Sequence, residues 1–262
     1  KAKKILPQIS LFTPLKNRQI PYFCTMSAPF IFKEFSIEQD QCAMKIGTDG
    51  VLLGAWAPIS HQPNSILDIG AGTGVVALML AQRSLAETID GVELIPEAYE
   101  QCVANFENAP WADRMFCYHA HVEELIEEAE ALTYDLIVSN PPFYTENNLD
   151  NQARAAARES STLPFPLLVQ AAVTLLSPAG IFALVLPFKE STDFIALAAK
   201  AGLFPHEIMH VKGNKNAPFK RSYMAFGFEK TRCLHRELTI ETARHQYTPE
   251  YIELVKDFYL KM

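Results

Sequence analysis

The residues that could do chemistry fall in three short stretches: Asp68 to Gly74, Asp90 to Glu93, and Asn140-Pro141-Pro142-Phe143. The first follows an apolar run, Ile66 to Ile69, and precedes a helical pattern from Val75 to Arg83. It reads as a strand that turns into a helix across three alternating glycines. Gly70, Gly72 and Gly74 remove side chains where the chain bends and where a ligand must approach the backbone, and the first amides of the helix face that ligand. A dinucleotide fingerprint, G-x-G-x-x-G, would set helix amides beneath a pyrophosphate, but the spacing here is G-x-G-x-G and the sixth position is Val75. The ligand implied has an adenosine and no diphosphate. Thr88 to Glu93 is a second short strand ending in an acid. It lies about twenty residues past the turn, where α/β folds place a carboxylate that accepts hydrogen bonds from ribose hydroxyls. A further strand, Tyr134 to Ser139, runs directly into Asn140.

In this order and at this spacing, the three motifs resemble the class I S-adenosylmethionine-dependent methyltransferases, in the branch with an N-P-P-F/Y motif that methylates planar amino nitrogens. The resemblance covers roughly residues 28 to 262. It implies a Rossmann-like α/β fold: a seven-stranded sheet, mostly parallel with an antiparallel last strand, and helices on both faces. It also implies S-adenosylmethionine as cofactor, held by Asp68, Gly70, Gly72, Gly74, Glu93 and Asn140. The run Cys42 to Gly50 is similar to the segment before the glycine motif in bacterial tRNA(Val) adenine-37 N6-methyltransferases. That likeness implies a segment packed over the cofactor, with Lys45 and Thr48 reaching its methionine carboxylate, although Thr48 and Asp49 would serve equally as a helix N-cap pair. Many relatives carry an Asp after the third strand to accept the hydrogens of the cofactor's adenine N6. Here the stretch is His119-Ala120-His121-Val122, with His121 at that position.

The exocyclic nitrogen of adenine is a poor nucleophile because its lone pair is delocalised into the ring. The Asn140 side-chain oxygen and the Pro141 carbonyl can each accept one amino hydrogen, which favours a pyramidal nitrogen. No strong general base is needed, and the rate would come from positioning and electrostatics. Pro141 and Pro142 stiffen the backbone, and Phe143 offers a ring face worth about 1–3 kcal/mol to a stacked base. Asn-Pro-Pro-Phe occurs in adenine-N6 and guanine-N2 RNA methyltransferases, whereas Asn-Pro-Pro-Tyr is commoner in enzymes that modify a glutamine side chain or DNA adenine. The reaction expected is N6 methylation of adenine-37 in the anticodon loop of tRNA(Val). The alternatives are rRNA guanine-N2 methylation, release-factor glutamine methylation, and a nucleotide-binding module without catalysis. Asn140 together with Glu93 argues against the last, since a pure binder has no use for an amino-group acceptor.

These groups need a scaffold, and 262 residues with 49% hydrophobic content can bury a sizeable core. A single domain is expected over 26–262, with a cofactor-covering segment at about 28–60. Residues 1–25, with five basic side chains and no acids, read as an N-terminal extension. Gln8, Ser10 and Pro14 interrupt its apolar part, which argues against a signal peptide, and no stretch approaches the roughly eighteen apolar residues of a membrane span. The five cysteines are odd in number and lack a C-x-x-C pair, which fits a reducing cytoplasm and neither a disulfide frame nor a zinc site. No metal is expected, and a monomer is.

With a net charge of −7, RNA binding needs a local basic patch, for which Lys212, Lys215, Lys220 and Arg221 between the last strands, with Arg154 and Arg158, are candidates. Period-two aromatics predict a strand from Phe30 to Phe35. A loop bending at Gly47 and Gly50 is expected to lead into an apolar helix ending near Pro58. Beyond the glycines, strands and helices alternate to an antiparallel pair, Glu207 to Val211 and Ser222 to Phe228, and an aromatic-rich closing helix from Pro249 to Tyr259.

Overall fold

The computed structural model describes residues 28–42, 44–128, 133–142 and 163–262. Apolar runs form its central strands: β3 (Ser65–Ile69), β4 (Thr88–Glu93), β5 (Met115–His119), β6 (Tyr134–Ser139) and β7 (Leu176–Pro187). They pair in parallel in the order β5-β4-β3-β6-β7. Then β9 (Arg221–Gly227) lies antiparallel between β7 and β8 (Phe204–Asn214). Those seven strands are the sheet expected.

The structure has nine, because β10 (Leu234–Ala243) pairs in parallel with β8 and carries the short β11 (Gln246–Tyr247). The long outer edge of β8 would otherwise leave a row of backbone donors and acceptors unpaired. In β10 only Leu238 is buried, so the strand lacks the apolar run of the central ones.

Successive side chains of a strand point to opposite faces, so each buried strand feeds two cores. In β7, Phe182, Leu184 and Leu186 join one core, and Ala183 and Val185 the other. Helices α1 (Thr48–Trp56), α2 (Val75–Arg83), α3 (Pro96–Glu107) and α7 (Pro249–Val255) cover the Ala183 face. The opposite face is covered by α4 (Val122–Glu127), α5 (Phe165–Leu175) and α6 (Ser191–Lys200).

Two local expectations are revised. Instead of one strand from Phe30 to Phe35, there are two short ones, β1 (Phe30–Ile31) and β2 (Ser36–Ile37), paired antiparallel about a turn closed by Phe32 N–H donating to Phe35 O at 2.9 Å. The aromatics stack instead of alternating across a sheet, with Phe32 4.6 Å from Phe35 and 5.9 Å from Tyr259 between ring centroids. In addition, Gly50 lies inside α1 and does not bend a preceding loop. Gly47 takes the N-cap position, so neither Thr48 nor Asp49 caps the helix. The Asp49 carboxylate instead accepts from Arg221 Nε at 2.7 Å, tying α1 to the start of β9.

Candidate active site

Gly70, Gly72 and Gly74 all adopt positive φ, at 74°, 55° and 79°. A Cβ built on Gly70 or Gly72 would meet nothing within 4 Å, whereas one on Gly74 would lie 2.5 Å from Phe106 Cε1. The first two glycines therefore open onto free space, and the third lets α3 pack. Two buried carboxylates fix this turn. Glu93, at the end of β4, accepts the Gly72 amide on Oε2 and the Ile95 amide on Oε1, each at 2.9 Å. Asp68, only 1% exposed, accepts the Ala77 amide at 3.2 Å and so holds the first turn of α2 from beneath. Burial pushes its carboxyl up to about 7; the Ala77 amide opposes this and the neighbouring Glu93 charge adds to it.

The covering segment is bound to the same turn. Buried Asn105 of α3 accepts the Glu38 amide and donates to both Glu38 O and Thr73 O, all at 2.9 Å. Gln101, one turn earlier, accepts the Gln41 amide at 3.0 Å, and Gln39 accepts that of Ile46 at 2.9 Å. Cys42 in this segment has its thiol raised to about 11 by burial, then by the charges of Glu93 and Asp40.

Above the glycine turn is a cavity of about 600 Å³. Small-molecule sites typically span about 300–1,000 Å³. Met44 to Gly47 form one side, the turn and Asp68 the floor, and Pro187, Phe188, Lys189, Phe219, Lys220 and Arg221 the far wall. Asn140 enters from the end of β6, where the Ser139 hydroxyl donates to Ile69 O at 2.8 Å and clamps the strand end to β3. A Cβ at Gly50 would sit 3.5 Å from Asn140 Nδ2, so a glycine here leaves α1 close against the asparagine. The Asn140 Oδ1 is buried without a hydrogen-bond partner among the described residues. A buried acceptor left unpaired costs about 1–3 kcal/mol, so Asn140 Oδ1 stands ready to accept a hydrogen bond.

The cavity thus brings together Lys45, Asp68, Gly70, Gly72 and Asn140. Thr48 begins α1 as an exposed residue outside the lining, and Pro141 is buried behind Asn140. Glu93 reaches the cavity only through the Gly72 amide. His121 does not line it: its Nδ1 accepts the Glu123 amide at 3.4 Å and its own amide donates to Glu124 Oε1 at 2.7 Å, so the imidazole is spent as the N-cap of α4. Phe143, Arg154 and Arg158 lie outside the described residues.

Of the basic candidates, Lys220 and Arg221 line the cavity, while Lys212 lies 4.0 Å from Glu237 and 5.0 Å over the Phe219 ring. Thr73, Phe188, Lys189 and Phe219 line the cavity as well, beyond the residues expected from the sequence. A signal existed for two of them, because Pro187-Phe188-Lys189 ends β7 as Asn-Pro-Pro ends its neighbour β6. Among the described residues there is no cluster able to hold a metal ion, and no helix is long and apolar enough to cross a membrane.

The methyltransferase small domain family matches residues 50–189. The tRNA1(Val) (adenine(37)-N6)-methyltransferase of Christiangramia forsetii is 55% identical over 236 residues, spanning 89% of this chain and 98% of that protein. Its counterpart in Flavobacterium psychrophilum is 56% identical over 234 residues, 89% and 100% of the respective chains. Among solved structures, a predicted O-methyltransferase from Agrobacterium tumefaciens shares the fold with a TM-score of 0.62, at 22% identity over 80% of this chain and 96% of its own. The chain belongs to the family of tRNA1(Val) (adenine(37)-N6)-methyltransferases.

Proposed function

We propose that this chain methylates N6 of adenine 37 in tRNA1(Val), the substrate named for its relatives, with S-adenosylmethionine as donor. The observation that carries the reading is the unpaired Asn140 Oδ1, buried beside the glycine turn. A planar amino group is a donor that satisfies it, as the family's reaction requires. A carbonyl or an ether oxygen would leave it orphaned.

The residues present fit the cofactor. Gly70 and Gly72 face open space, Lys45 stands at the rim to meet a carboxylate, and Glu93 is held rigidly by two amides with lone pairs remaining on each oxygen. When bound, the cofactor supplies an electrophilic methyl on a sulfonium. The protein's share is to present the nucleophile. Asn140 Oδ1 accepts one amino hydrogen and the Pro141 carbonyl is the second acceptor, so the nitrogen lone pair is freed from the ring for in-line attack. Neither carboxylate lining the cavity is placed to act as a base, since Asp49 is paired with Arg221 and Asp68 is turned to the Ala77 amide. The surplus proton leaves from the methylated amine after transfer. Phe143, next in sequence, is assigned the face of the target base.

The test is methyl transfer from labelled cofactor to total tRNA lacking modifications, followed by digestion. The expected product is N6-methyladenosine at one position of the tRNA1(Val) anticodon loop. N2-methylguanosine, or label in protein alone, would overturn the reading.

A further inference from the structure

We propose that Phe188 and Phe219 form a stacking platform for an unpaired RNA base adjacent to the one that is methylated. This rests on the RNA-methyltransferase reading above and gives its site a second base subsite. Phe188 follows β7 at the same edge of the sheet where Asn140 follows the neighbouring β6, and both side chains line one cavity. Its ring is 38% exposed, on a rim that is otherwise cationic.

The two rings are 5.4 Å apart at 34°, and both pack on His210, at 4.8 Å and 5.6 Å. His210 is itself anchored through Nδ1 to the buried Ser222 hydroxyl at 2.9 Å, and burial, then His235, lowers its pKa, with Glu237 opposing. The backbone ties the two segments together as well, since Phe188 N–H donates to Lys220 O at 3.0 Å and Lys220 N–H to Val211 O at 2.8 Å. Both rings are thus braced by packing and backbone pairing within the chain.

Its charges suit a nucleic-acid backbone. The nearby carboxylates are Asp49, paired with Arg221; Glu237, 4.0 Å from Lys212; and Glu190, which feels Lys189 and Arg221. Lys45, Lys189 and Lys220 form no ion pair among the described residues and ring the cavity mouth. A chain of net charge −7 that gathers lysines around one exposed and one half-buried ring presents the combination that single-stranded nucleic acids bind: a face for the base and cations for the phosphates. The geometry also meets a need of the reaction. Drawing one adenine out of a loop leaves its neighbour unstacked, and a ring pair beside the catalytic pocket restores that contact.

The test uses a synthetic hairpin carrying the tRNA1(Val) anticodon loop, intact or with one loop base at a time replaced by an abasic site, leaving the methylated adenine in place. Binding is measured for the wild type, for Phe188→Ala/Phe219→Ala, and for Phe188→Leu/Phe219→Leu, which keeps the apolar packing on His210 and removes only the ring faces. Affinity for S-adenosylhomocysteine reports an intact fold. Both variants should bind the intact hairpin about tenfold or more weakly. One abasic replacement should cost the wild type a similar factor while costing the variants nothing. Leucine variants that bind like the wild type, or abasic penalties that are the same in wild type and variants, would overturn the platform. Binding needs no turnover, so a wild type that binds through these rings yet methylates no adenine contradicts the functional reading and leaves the subsite standing.

Discussion

The two walls of the cavity are built on opposite terms. On the glycine side nearly every polar group is paired within the chain: Glu93 with two amides, Asp68 with the Ala77 amide, and Asn105 with both the covering segment and Thr73. On the Asn140 and Phe188 side, among the described residues, an amide oxygen is orphaned, a phenyl ring is exposed, and Lys189 and Lys220 form no ion pair. The first wall is preorganised for a ligand of fixed shape. The second carries groups whose partners come with a substrate. Changes on the glycine side should therefore disturb cofactor affinity and stability together, and changes on the far wall should spare both.

The largest effect expected on the glycine side is from Glu93→Ala. It removes two charge-assisted hydrogen bonds, each worth about 1.5–3 kcal/mol, that hold Gly72 and Ile95, along with the carboxylate proposed to meet the ribose. Calorimetry should show cofactor affinity reduced about a hundredfold or more, with a lower Tm. An unchanged affinity would detach Glu93 from the cofactor.

Asn105→Ala should do less. It frees the Glu38 amide and the carbonyls of Glu38 and Thr73, at a cost of about 1–3 kcal/mol in stability, and should raise the KM for cofactor while kcat at saturation stays near normal. A defect confined to kcat would mean that the covering segment does not act through the cofactor.

Asp68 gives a pH signature. Its folded pKa, about 7, lies above the unfolded value of about 3.9. The folded chain thus holds a proton that the unfolded chain releases, so this group's contribution is full below about pH 4 and is lost as the pH rises through 7. Asp68→Asn keeps an oxygen for the Ala77 amide and cannot ionise. Relative to the wild type, the Tm of Asp68→Asn should therefore improve from pH 5 to about pH 7 and level off above it. A difference that does not vary with pH would show that Asp68 ionises normally.

The smallest effect is expected on the far wall. Lys189→Gln and Lys220→Gln should leave cofactor affinity and Tm unchanged, while the salt dependence of RNA binding loses about 0.7–0.9 in log–log slope for each phosphate contact removed. An unaltered slope would return both lysines to plain solvation.

How much of this was legible in the sequence follows the same division. The glycine turn, Glu93 and Asn140 could be read directly because each sits at the end of a strong apolar strand, within a motif of a few residues. The far wall is less legible: Phe219 carries no motif and reaches the cavity because β9 returns antiparallel beside β7, and Lys220 stands out in the sequence only as one of several basic residues. His121 was placed by its position after β5 in the chain, but a histidine ahead of Glu123 and Glu124 caps the helix that follows, and this local hydrogen bonding decided its orientation. Arg221 shows the limit of counting charges, since its predicted phosphate contact competes with Asp49, 172 positions away in the chain. Strand β10 was missed for a related reason: its exposed polar residues hide the alternation, and backbone pairing with β8 defines it.

The most direct test of the central claim is single-turnover methyl transfer by Asn140→Ala, with S-adenosylmethionine affinity measured on the same preparation. In the proposed reaction the orphaned oxygen meets the substrate amine, and it bears no part of the glycine turn. Cofactor binding should therefore stay within about twofold of the wild type, while the transfer rate falls by about 10²–10³, as for loss of one preorganised transition-state hydrogen bond. A variant that binds cofactor normally and transfers methyl at close to the wild-type rate would contradict the account.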